Sequence, residues 1–228
     1  MAHPLHVSGL AHVNSYVTRL PIFVCLLAVA PAALADSALN HMLKAIEGRY
    51  NHAKTLQVLF TEEYTAEGKT RRPESGLLVL RKPGRMRWSY TTPAGKLFIS
   101  DGKTVYLYTP DAHRVERAPL KASEDMRAPL AFLLGKLDFS REFRDFQLKQ
   151  EGINTVITAF AKSDQLPYDK VEMTVNPAFE IQKLVVTGAD KSVLTFTFAG
   201  EKLNPKVDDA LFVFRMPAGA VMAEAEGQ

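Results

Sequence analysis

Cysteine is almost absent from this chain of 228 residues: the only one is Cys25. It lies inside an apolar run, so the chain offers no disulfide framework and no thiolate set for a metal. No apolar stretch is long enough to span a bilayer, which takes about 20 residues; the run Ile22–Ala30 falls well short. Charge of either sign is not in excess: 28 Lys and Arg stand against 25 Asp and Glu, a formal net charge of +3. That balance argues against a dedicated nucleic-acid surface, which needs a clustered basic face. Low-complexity tracts, fixed-period repeats and an obvious linker are also missing.

Catalytic signatures are equally scarce. The stretch Asp101-Gly102-Lys103-Thr104 ends like a phosphate loop, but that motif needs a Gly where Leu97 stands and a helix where Val105–Tyr108 reads as a strand. Glu62 and Glu63 are adjacent, so on a strand they face opposite ways and form no acid–base pair. His41, His52 and His113 lack ligand spacing, and there is no G-x-S-x-G elbow. No catalytic residue, metal or cofactor is expected.

The N-terminus has the layout of a secretory signal: Arg19, the apolar run, Pro31, then Ala33-Leu34-Ala35 before Asp36. A permanent membrane anchor is the alternative. Residues 1–35 are expected to be removed, leaving 36–228 as a single domain with room for a sizeable core. Val24 precedes Cys25 and more apolar residues follow it, which is a poor fit to a lipid-modified cysteine.

Beyond Asp36 the hydrophobic periodicity is mostly that of strands. A helix is expected over 36–51, with Leu39, Leu43 and Ile46 on one face and Asp36 or Ser37 as N-cap. "TLQVLFTEEY" places Leu56, Val58 and Phe60 on one side. In "GRMRWSY", residues 84–90, Met86, Trp88 and Tyr90 alternate with Arg85, Arg87 and Ser89, so one face is aromatic and apolar and the other basic and polar. Asp101-Gly102-Lys103 marks a hairpin turn. "MRAPLAFLLGKLD" interrupts the strands with a short apolar helix carrying Leu130, Leu133 and Leu134. Strands resume from Arg141 to Phe198, and "NPKVDDALFVFRMP" reads as a tight turn and a short strand. Ten or more strands with two helices imply a mainly β fold whose sheet must curl, close or split. The aromatic face of 84–90 is then either ordinary core or the lining of a cavity.

The stretch from Gly76 to Pro110 resembles the periplasmic outer-membrane lipoprotein carrier family of the LolA type. The resemblance rests on the Gly-led strand, the basic-basic-Pro turn, "RMRWSY" and "LFISDGKTVYLYTPD". "LFTEEY" upstream, and "APLAFLLG" and "LNPKVDDALFVFRMPAGAVM" downstream, extend it over most of the chain. It implies an incomplete, half-open curved antiparallel β-barrel with a helical lid over an apolar cavity. The cavity residues would be Leu56, Val58, Phe60, Met86, Trp88 and Tyr90, and the lid Leu130, Phe132, Leu133 and Leu134. The family has Arg before the turn Pro as a lid latch; here Lys82 stands there, with Arg81 beside it. The implied function is a monomeric periplasmic carrier of acylated lipoproteins, without cofactor. It would take cargo from an inner-membrane lipoprotein-releasing transporter and pass it to an outer-membrane lipoprotein receptor. A carrier of another amphiphile, such as a glycolipid or polyketide-type lipid, and a lipid- or lipoprotein-sensing module on the same fold remain alternatives.

Overall fold

The structure is a computed structural model and describes residues 31–120, 137–163 and 166–224. Among these, one long helix lies against a single sheet of 13 strands. The helix, α1, spans Pro31–His52. It starts five residues before the expected cap at Asp36. Pro is tolerated in a first helical turn, and the Ala-rich segment behind it propagates the helix well. A first run of strands follows: β1 (Thr55–Ala66), β2 (Lys69–Thr70), β3 (Glu74–Arg81), β4 (Arg85–Thr92), β5 (Leu97–Asp101), β6 (Thr104–Thr109) and β7 (Arg114–Pro119). A one-turn helix, α2 (Phe139–Glu142), leads into β8 (Phe143–Glu151), β9 (Asn154–Ala161), β10 (Tyr168–Val175), β11 (Ile181–Gly188) and β12 (Val193–Leu203). The last strand is β13 (Val221–Glu224).

The order across the sheet is β13-β7-β6-β5-β4-β3-β1-β12-β11-β10-β9-β8, with β2 paired only to β1. Two meanders, β3 to β7 and β8 to β12, are thus joined through the antiparallel β1–β12 ladder. β13 pairs with β7 in parallel, whereas the other ladders are antiparallel. Burial alternates along the strands, as in β4 and β10. Val105 of β6 and Ile157 of β9 lie far apart in strand order, yet both belong to one buried cluster with Ile46 of α1. The sheet is curved, with α1 over its concave side.

The hairpin expected at Asp101-Gly102-Lys103 forms. Gly102 takes φ +98, a backbone state that side chains disfavour. The Asp101 carboxylate accepts the N–H groups of Lys103 and Thr104, both at 2.8 Å.

The short strand expected in "NPKVDDALFVFRMP" does not form. Asp209–Phe212 is a 3-10 turn, capped by the Asp208 carboxylate, which accepts from the Ala210 N–H at 2.9 Å. The reason lies on the convex face. The arginines of the basic face, left without a role by alternation alone, grip this segment. Arg81 pairs with Asp209 and donates to the Val207 carbonyl, Arg85 pairs with Asp209 at 2.8 Å, and Arg87 donates to the Leu211 carbonyl at 3.1 Å. Phe212 is buried, with the Arg85 and Arg81 guanidinium groups 5.8 and 6.0 Å from its ring centre.

Candidate functional site

The concave wall is built by register. Across β1, β3 and β4 the inward residues form three rows: Leu56-Leu80-Met86, Val58-Leu78-Trp88 and Phe60-Gly76-Tyr90. In the third row the centre must be glycine. A Cβ on Gly76 would stand 2.1 Å from the Ser89 carbonyl oxygen. Across that gap the Phe60 and Tyr90 rings meet edge-on, centroids 5.1 Å apart. Phe60 also meets Trp88 edge-on at 4.7 Å, and Trp88 tilts against Phe196 of β12 at 5.7 Å. Such aromatic pairs contribute about 0.5–1.5 kcal/mol each beyond the area they bury. The Trp88 indole N–H donates to the Met86 sulfur at 3.3 Å.

All six residues expected on the cavity wall therefore share one face. In this state the face is packed: Trp88 is 1% exposed and Met86 5%. Leu43, Ile46 and Tyr50 of α1 belong to the same buried cluster. The lid residues Leu130, Phe132, Leu133 and Leu134 lie outside the described residues.

The two latch residues part company. Arg81 faces the convex side, as above. Lys82 donates to the Tyr50 carbonyl at 2.8 Å, at the C-terminal end of α1, where a cation suits the helix dipole. Burial lowers its pKa.

Sequence reasoning missed the polar hub that holds α1 in place. The Glu201 carboxylate of β12 accepts from Arg49 Nη2 at 2.6 Å, from Arg49 Nε at 3.0 Å and from the Tyr50 hydroxyl at 2.7 Å. The Tyr50 hydroxyl oxygen in turn accepts the Ile181 N–H at 2.9 Å. Nearby, Asn51 exchanges two hydrogen bonds with the Leu137 backbone, and Glu47 accepts the Phe139 N–H at 2.9 Å. Glu47 was findable: it stands four residues after Leu43, on the apolar stripe of the helix. Glu201 carries no such signal, because its partners lie about 150 residues away.

The buried phenols make the fold alkali-sensitive. Burial, then the Glu201 carboxylate, push the Tyr50 phenol above its ordinary 10.0. Burial, with Glu142 adding to it, pushes Tyr168 up to about 12. The unfolded phenols ionise near 10 while the folded ones stay protonated, so their contribution is intact below pH 10 and is lost as pH rises from there. Lys82, with its lowered value, acts in the opposite direction up to its ordinary 10.5 and offsets part of this loss. Urea unfolding at pH 9 and pH 11 is expected to show lower stability at pH 11, with a smaller drop in a Tyr50→Phe/Tyr168→Phe protein. An equal drop in both proteins contradicts the assignment.

With this geometry in view, comparison with known proteins is direct. The family described as outer membrane lipoprotein carrier protein LolA matches residues 51–215. The outer-membrane lipoprotein carrier protein of Bordetella avium is 30% identical over 209 residues, covering 90% of this chain and 96% of its own. That of Chromobacterium violaceum is 29% identical over 202 residues, covering 87% and 96%. Among solved structures, a LolA superfamily protein from Nitrosomonas europaea aligns with a TM-score of 0.44 at 11% identity, over 77% of this chain and 97% of that one.

Proposed function

Because the chain belongs to the LolA family of outer membrane lipoprotein carrier proteins, we propose that it binds lipoprotein acyl chains against the concave wall. In this reading it carries them through the periplasm from the inner to the outer membrane. The observation that supports this is the apolar, aromatic wall of Leu56, Val58, Phe60, Met86, Trp88 and Tyr90, facing α1. Each CH₂ removed from water contributes about 0.8 kcal/mol, so one long acyl chain resists aqueous transfer by roughly 10 kcal/mol. A protein that shelters the chain lowers that barrier. The wall is already packed, so cargo must displace contacts between the sheet and what covers it. That displacement cost keeps affinity moderate, which suits release to a downstream acceptor. The donor is an inner-membrane lipoprotein-releasing transporter, and the acceptor an outer-membrane lipoprotein receptor.

Export in this reading removes residues 1–35. N-terminal sequencing of the exported protein should begin at Asp36; a retained leader overturns this part. Cargo binding has an internal probe, because Trp88 is the only Trp in the chain. A lipopeptide with brominated acyl chains is expected to quench Trp88 emission, and unacylated peptide to leave it unchanged. A folded Val58→Glu protein should lose the quenching. Absence of quenching in the unaltered protein, with binding otherwise demonstrated, moves the site away from the concave wall. Stronger quenching by a brominated glycolipid than by the lipopeptide would change the cargo class.

A further inference from the structure

A second apolar surface lies on the opposite, convex face, separate from the wall that the carrier reading uses. Where the segment of the 3-10 turn crosses β4 and β5 it leaves a trough of about 360 Å³. Leu97 of β5 forms part of its lining, together with Leu211 and Val213 of the crossing segment, while Ile99 of β5 lies fully buried beneath them. Val213 is 55% exposed, which is unusual for a valine beside other apolar groups. Three charged residues also line the trough: Arg87, Arg215 and Asp208. Asp208 is occupied as the cap of the turn, and Arg87 donates to the Leu211 carbonyl and to the Ser89 hydroxyl. Arg215 has no partner among the described residues. The lining thus carries two positive charges against one negative, a surplus of one that matches one free guanidinium.

We propose that this trough binds a single-chain amphiphile with a monoanionic head, a fatty-acid carboxylate, its chain on Leu97, Leu211 and Val213 and its head on Arg215. The volume is near the lower end of small-molecule sites, about 300–1,000 Å³, and suits one chain. An Arg fork matches one carboxylate bidentately. A peptide strand fits poorly. β4 and β5 are interior strands of the sheet, Arg87 and Ile99 are paired within their ladder, and the Leu211 carbonyl is taken by Arg87, so no backbone edge is free to be extended.

The test is photolabelling of the purified protein with dodecanoic acid carrying a diazirine, followed by peptide mapping. Adducts are expected on the peptides carrying Leu97–Ile99 and Asp208–Arg215. Arg215→Glu and Val213→Asp alter exposed side chains, so the fold should persist by circular dichroism. Each is expected to reduce labelling about tenfold, near the loss of one good contact. Arg215→Lys should keep most of it, and a neutral monoacylglycerol analogue should label weakly. Adducts confined to concave-wall peptides, labelling unchanged in Arg215→Glu, or equal labelling by the neutral analogue would each overturn the proposal. A failed lipopeptide assay at Trp88 would leave it standing, since the two sites lie on opposite faces.

Discussion

Replacing Trp88 with Ala is expected to destabilise the protein by about 3–5 kcal/mol, the range for removing a fully buried large aromatic side chain. In a chain of this length about 1 kcal/mol moves the melting temperature by roughly 2–4 °C, so a fall of roughly 6–20 °C should appear. The reason is local. Trp88 contacts Phe60 and Phe196, spans the junction of the two meanders and is 1% exposed. Trp88→Phe should cost distinctly less, because the ring contact with Phe60 can partly persist. Thermal unfolding by circular dichroism decides the matter. A shift below 3 °C for Trp88→Ala, a threshold set at about 1 kcal/mol, would mean that the concave wall faces an open space instead of packed neighbours.

The second large effect should come from Glu201→Ala, a residue far from any expected site. Its side chain is 4% exposed. Removing the carboxylate strands the Arg49 guanidinium and the Tyr50 hydroxyl beside the core. Breaking one partner of a buried ion pair costs about 3–5 kcal/mol, and because Arg49 keeps some access to water the low end, about 3 kcal/mol, is expected. Replacing both members, as in Arg49→Met/Glu201→Met, should recover much of the loss, since no charge is then left unpaired. If the double substitution is as unstable as Glu201→Ala, the pair is not the source of the effect.

Strand periodicity was legible wherever one face of a strand is buried. The alternation in 84–90 predicts a strand, and β4 occupies 85–92. Alternation reports which side faces inward, and this groups the six wall residues on one face. It does not report whether that side is packed or empty, which depends on what lies opposite. Two features escaped because they pair residues distant in sequence. The basic side of β4, with Arg81 at the end of β3, holds the segment 207–211, and this capture puts a capped 3-10 turn within "NPKVDDALFVFRMP", where a tight turn and a short strand are expected. Glu201 is an ordinary surface-like residue until β12 brings it to α1. Helix onset at Pro31 was missed for a simpler reason: a good cap residue at Asp36 signals a start only if the preceding residues are poor helix formers, and an alanine-rich run is not.

The β1–β12 ladder has a consequence for how the chain reaches its native state. Most of the ladders join strands that follow one another closely, so each meander can assemble from local hairpins. Leu56 must instead find Leu203 and Thr65 must find Val193, after nearly all the intervening chain has been made. Closing so long a loop costs entropy before any contact repays it, and topologies rich in such pairings fold slowly. Until β12 arrives, β1 stands with one edge unpaired and an apolar face uncovered. During that interval the nascent chain presents its apolar wall to solvent, and for that period it is prone to self-association.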